Sequence, residues 1–190
     1  MVLHTPATPR RSAILDAALE CFVERGVEAT TIEAIRDRSG ASTGSVYHHF
    51  GSKEGIAAAL YLDALRSYQE GAVAALHERG IDGLVRHHVV WIAGSPDLAR
   101  FLLAHRDPEV VAASRDELAT LNRAFFDEVR AWAAASDVRD LPLDLLYAVT
   151  LGPAQEWARL WLAGRAKTDP ETAARILADA ATVALRKEPT

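Results

Sequence analysis

Ser42, Thr43, Gly44, Ser45, Tyr47, His48, His49 and Lys53 bring hydroxyls, a phenol, two imidazoles and an ammonium into one short stretch. These are hydrogen-bond donors and stacking groups suited to holding phosphate and touching bases without covalent chemistry. Thr43, Gly44 and Ser45 are small and open a helix, so its N-terminal amides and dipole can come close to an anionic surface. The adjacent imidazoles are not read as a metal site, because neighbours on a helix point about 100° apart and cannot both ligate one ion well. Nothing assembles a reaction centre either. The chain lacks a glycine-rich phosphate loop, a His-Glu-x-x-His run and a nucleophile elbow, and Cys21 is its single cysteine. The expectation is a binding protein with no catalytic residue, no cofactor and no metal.

The elements that position these groups follow from local rules. Thr30 and Glu33 form a capping pair that opens a short helix, Ile32 and Ile35 give it a buried side, and Gly40 supplies the freedom of a tight turn. Ser42 caps the next helix. Val46 and Phe50 hold that helix by its inner face, and Gly51-Ser52 ends it and caps another. Two short helices about a glycine turn are the expected form of a DNA-reading head.

Charge argues for placement over bulk attraction. The chain has 190 residues, of which 49% are hydrophobic and 25% charged, and a net charge of −5. Residues 1–60 carry six Lys/Arg against seven Asp/Glu. A protein that coats nucleic acid through charge is therefore excluded, and a site-specific dimer with a shallow salt dependence is favoured. Arg10 and Arg11 either reach the DNA backbone or minor groove beside a disordered arm at 1–7, or serve surface solubility. With no long apolar run and no signal-peptide core, the protein is expected in the cytoplasm, without a membrane partner.

Apolar residues recur at helical spacing almost throughout, so the fold class is all-α with about nine helices. A first helix runs from a Thr8-Pro9 start to Gly26, and a long one from Lys53 towards Arg79 before Gly80 stops it. Ser95-Pro96-Asp97, Asp107-Pro108-Glu109 and Asp169-Pro170-Glu171 each supply a cap, a proline at the first helical position and an acid near the positive end. Further helices are expected over 82–93, 96–105, 108–135, 142–163 and 170–186. Gly152-Pro153 predicts a kink, or a break into two helices. The expected organisation is a DNA-binding head over 8–54 and a larger helical body over 55–190.

Over Ala13–Leu60 the sequence resembles the tetracycline-repressor (TetR) family of bacterial transcription regulators. Phe22, Gly26, Ala29-Thr30-Thr31-Ile32, Ile35, Gly40 and the run Ser42-x-Gly44-x-Val46-Tyr47-x-His49-Phe50-x-Ser52-Lys53-Glu54 carry the resemblance. Leu151-Gly152-Pro153 and Trp157-Ala-Arg-Leu-Trp161 are similar to that family's kinked eighth helix. Arg36, Ser39 and Ala41 stand where small or branched apolar residues are usual. The resemblance implies a ligand-responsive repressor that binds a double-stranded, near-palindromic operator as a homodimer. It also implies that Thr31 and His49 contact phosphate, and that the turn Thr43–Ser45 faces the major groove, where Thr43 and Ser45 reach base edges or a thymine methyl.

Tyr68, Trp91, Phe101, Phe125, Phe126 and Tyr147, with His105 as a polar group, either line a cavity for an unidentified small-molecule effector or form plain core. Trp132, His87 and His88 share that ambiguity. Leu146, Thr150, Trp157 and Trp161 lie on one face of the helix over 142–163, and Ile176, Ala180 and Val183 on one face of the last helix. Two such helices from each chain pair as a four-helix dimer interface in the arrangement the resemblance implies. The alternative is a helical ligand-binding or scaffolding protein whose head no longer binds DNA.

Overall fold

The computed structural model describes residues 9–104 and 114–187. Eight helices carry the described fold: α1 (Pro9–Ala29), α2 (Ile32–Ser39), α3 (Thr43–Phe50), α4 (Lys53–Gly94), α5 (Pro96–Ala104), α6 (Arg115–Ala135), α7 (Leu143–Leu162) and α8 (Pro170–Ala184). The expected arm at 1–7, the Thr8 cap, His105 and the Asp107-Pro108 helix start lie outside the described residues. Among those described, extended pairing is limited to one isolated antiparallel bridge between Val138 and Arg186. No described helix is long and apolar enough to cross a membrane.

Glycines and prolines punctuate the chain much as their chemistry dictates. Gly26 adopts φ 80° and ψ 163° inside α1, and Gly80 adopts φ 62° and ψ −145° inside α4, both conformations that side chains disfavour. The expected stop at Gly80 is thus a sharp break within one helical stretch, with helix resuming directly beyond it. Asp169 caps α8 by accepting from the Thr172 amide at 2.9 Å, ahead of Pro170. α7 runs through Gly152-Pro153 as one helix, so the break into two does not occur.

The chain forms two compact units. The first takes in the chain to Ala64 with the stretch 97–118, and the second takes in Leu65–Pro96 with the chain from Ala119. In the first, Ile14, Ala18, Cys21, Phe22, Ile35, Val46 and Ile56 are buried together, and Phe101 of α5 stacks on Phe22 with ring centroids 5.8 Å apart. Burying each such large side chain stabilises the fold by roughly 1.5–3 kcal/mol. In the second, Leu76, Val85 and Val89 of α4 pack with Val129 of α6, Leu146, Leu151 and Ala154 of α7, and Ala178 and Leu185 at the C-terminal end.

Candidate nucleic-acid interface

α2 is capped one residue later than the Thr30/Glu33 pair predicts. Thr31, with φ −110° and ψ 156°, is the N-cap of α2, and its hydroxyl accepts from the Ala34 amide at 3.2 Å. Thr30 is buried instead and donates its hydroxyl to the carbonyls of Gly26 at 2.7 Å and Cys21 at 3.2 Å. The break at Gly26 leaves carbonyls at the end of α1 in need of donors, and Thr30 answers them. Thr31 is thereby left exposed at the positive end of α2.

Gly40 then turns the chain in the left-handed region, with φ 65° and ψ 13°, and its amide closes on the Arg36 carbonyl at 3.0 Å. Ser39 has a local task here: its hydroxyl donates to the Arg36 carbonyl and accepts from the Ala41 amide, both at 3.3 Å. Ala41 is buried, and Arg36 lies at the surface against Asp37. The Ser42 hydroxyl accepts from the Ser45 amide at 3.2 Å and so caps α3.

α3 is oriented by Val46, which is buried, and by half-buried Phe50. One side of the helix is thus fixed, and the other presents Thr43, Gly44, Tyr47 and His48 to solvent with Ser45 and His49 at its edge. Tyr47 is 51% exposed among the described residues, unusual for a large ring. The rings of His48 and His49 meet edge to face at 5.4 Å.

The cations of the head are mostly held by the protein itself. Arg38 makes a two-pronged pair with Glu24 at 2.9 and 3.1 Å and also approaches Glu20. The Arg38 hydrogen bond holds the Glu24 carboxyl below its usual range, and Glu24 in turn raises the Arg38 guanidinium. Arg11, read from sequence as a candidate DNA contact, pairs with Asp63 at 2.7 Å and lies over the Phe50 ring at 5.6 Å. Lys53 donates to the Glu28 carbonyl at 2.8 Å. The exposed face of α3 is therefore served by hydroxyls, helix ends and rings more than by free charge.

The proposed effector residues divide into three groups. Tyr68, His87, His88 and Trp91 cluster on the two stretches of α4, with the Tyr68 hydroxyl 2.8 Å from Nδ1 of His88. Burial pushes the Tyr68 hydroxyl above its ordinary range and the His88 imidazole down to about 4. Phe125, Phe126 and Tyr147 line an apolar slot of about 20 Å³. Phe101 is separate from both, being committed to Phe22 in the core of the first unit.

The outward apolar face also needs correction. Leu146 and Thr150 point into the second unit's core, where Thr150 donates its hydroxyl to the Leu146 carbonyl at 2.7 Å, so their side chains do not face outward. Ile176, Ala180 and Val183 of α8 are exposed, and Trp157 and Trp161 of α7 stack at 5.9 Å while remaining half-buried. Leu145, beside buried Leu146, is also exposed.

Two short helices about a left-handed glycine, the second anchored by Val46 and presenting its leading turn and Tyr47 outward, define a helix-turn-helix head. Residues 14–60 match the family model for bacterial regulatory proteins of the tetR family. The chain is 31% identical over 144 residues to the HTH-type transcriptional repressor Rv1474c of Mycobacterium tuberculosis, covering 72% of this chain and 74% of that one. It is 30% identical over 152 residues to the HTH-type transcriptional repressor AcnR of Corynebacterium diphtheriae, covering 77% and 78%. A solved TetR family transcription regulator from Marinobacter aquaeolei VT8 shares the fold with a TM-score of 0.71 at 18% identity, over 94% of this chain and 96% of that one. The chain belongs to the tetR family of bacterial regulatory proteins.

Proposed function

We propose that this protein is a transcriptional repressor that binds a near-palindromic operator as a homodimer in the cytoplasm and leaves it when a small molecule binds the helical body. The observation that carries this reading is the exposed face of α3. Its leading turn, Thr43–Ser45, is open to solvent at the positive end of a helix whose opposite side is locked by Val46. Thr43 and Ser45 read base edges, while Thr31, Tyr47, His48, His49 and Lys53 hold phosphates on either side. Two copies related by a two-fold axis read half-sites about 34–36 Å apart. Exposed Ile176, Ala180 and Val183 of α8, with Trp157 and Trp161 of α7, supply the apolar face on which the copies meet.

The effector site is the region of Tyr68, Trp91, Phe125, Phe126 and Tyr147. The stretch of α4 before Gly80 carries Lys53 at the head and Tyr68 in the body, so a ligand that prefers one setting of this stretch biases the spacing of the two heads. A hundredfold preference is worth about 2.7 kcal/mol. The names of two relatives as transcriptional repressors favour repression over activation.

Selection of bound fragments from genomic DNA by the ligand-free protein tests this reading. Enrichment of a motif with two inverted half-sites one helical turn apart is expected. Recovery of fragments with no shared motif contradicts it and returns the protein to the ligand-binding alternative.

A further inference from the structure

In the second unit the turn after α6 and the end of the chain are fastened together. Val138 and Arg186 form the isolated bridge, the Arg139 amide donates to the Leu185 carbonyl at 2.8 Å, and Arg139 Nη1 reaches the Ala184 carbonyl at 3.4 Å. This fastening brings Arg139 and Lys187 to the rim of one cavity of about 560 Å³, which Arg130 also lines. The volume lies in the range of small-molecule sites, about 300–1,000 Å³.

The lining has a definite chemistry. Among the described residues Arg130, Arg139 and Lys187 share the lining with one acid, Asp140, in a chain whose net charge is −5. Six of the eleven lining residues are apolar, among them Leu141, Leu143 and buried Leu146. Leu143 and Leu146 also line the apolar slot of Phe125, Phe126 and Tyr147. The cations are held only at the surface: Lys187 lies 3.1 Å from Asp137, which is 92% exposed, and Arg130 2.7 Å from Asp127, which is 61% exposed. Exposed pairs of this kind contribute about 0–1 kcal/mol, so an entering anion displaces them at little cost.

We propose that this cavity binds an amphiphilic carboxylate, with the anionic group among Arg130, Arg139 and Lys187 and the apolar body on Leu141, Leu143 and Leu146. An inorganic anion would leave the apolar wall wet, and a neutral hydrocarbon would gain nothing from Arg130, Arg139 and Lys187. The site does not include Tyr68 or Trp91, and its occupancy is read without DNA, so it stands or falls separately from the repressor reading.

Calorimetric titration of the full chain with decanoate below its micelle concentration provides the test, with 1-decanol and inorganic phosphate as comparison probes. One decanoate per chain is expected, bound at least tenfold tighter than either comparison. The double variant R139Q/K187Q, with an unchanged melting temperature, weakens decanoate at least tenfold and leaves decanol unaffected. Tyr68→Phe leaves decanoate binding intact. The proposal is overturned if decanoate does not saturate, if phosphate or decanol binds as well, or if R139Q/K187Q binds decanoate like the parent.

Discussion

Nζ of Lys53 donates to the Glu28 carbonyl at 2.8 Å, so the cation that opens α4 also ties down the end of α1. A residue read from sequence as a phosphate clamp therefore has a second task inside the head. Lys53→Ala is expected to lower stability by about 1 kcal/mol, the usual net worth of one hydrogen bond, and to weaken DNA binding as well. Chemical denaturation followed by circular dichroism separates the two effects. An unchanged midpoint together with weaker DNA binding would leave the clamp role alone standing.

Glu24 restrains Arg38 through both guanidinium prongs. Glu24→Gln releases that side chain and raises the head's charge by one at neutral pH. Operator binding is expected to tighten, and its salt dependence to steepen, because counterion release scales with the number of phosphates neutralised. Binding measured at several salt concentrations checks both, and a parallel, unshifted salt plot would place Arg38 outside the reach of DNA.

The depressed His88 imidazole makes stability depend on pH. Folded His88 takes a proton only near pH 4, whereas the unfolded side chain takes one near 6.5. Between these values the unfolded state binds more protons, so stability is full above about 6.5 and falls as pH drops towards 4, by up to about 3 kcal/mol. Denaturation midpoints between pH 7 and 4 should show this loss, and His88→Phe should remove most of it. His88→Phe also strands the buried Tyr68 hydroxyl that pairs with His88 Nδ1, so the variant is less stable at neutral pH while its pH dependence flattens.

Gly83 marks a close approach between the two stretches of α4, since a Cβ there would strike the Ala75 carbonyl and the Arg79 side chain. In an open helix Gly→Ala stabilises by about 1 kcal/mol. Here the sign reverses, and Gly83→Ala is expected to cost about 1–3 kcal/mol by overpacking. Thermal melts of this variant against Gly94→Ala, where nothing lies within 4 Å, make the comparison internal.

Most of the head is legible in the sequence because short-range rules set it. Gly40 and the Ser42 cap need only their immediate neighbours, and Val46 and Phe50 follow from helical period. The one-residue slip from Thr30 to Thr31 arose because two adjacent threonines satisfy the same capping pattern. The first helix breaks at Gly26, where the sequence ends it, and the carbonyls of Cys21 and Gly26 then decide which threonine turns inward. The body was less legible for a related reason. Leu146, Thr150, Trp157 and Trp161 do share one face of α7, and only packing shows that the second unit's own core covers its first two members. Phe101, open in the sequence between cavity and core, is core because α5 delivers it onto Phe22. The cavity at Arg139 and Lys187 depends on a contact between the turn after α6 and the end of the chain, which no local pattern announces.

The central claim is that the exposed face of α3 reads DNA, and Tyr47 is the side chain on which it turns most directly. With its ring half in solvent and its neighbour Val46 carrying the packing, Tyr47→Ala should leave the fold and melting temperature unchanged. Fluorescence anisotropy of ligand-free protein on the selected duplex, beside a scrambled duplex of equal length, is the decisive measurement. The account predicts saturable binding by the parent that is at least tenfold weaker on the scrambled duplex, and a loss of at least tenfold for folded Tyr47→Ala. Equal binding of the two duplexes by the parent, or equal binding of the selected duplex by Tyr47→Ala and parent, would contradict it.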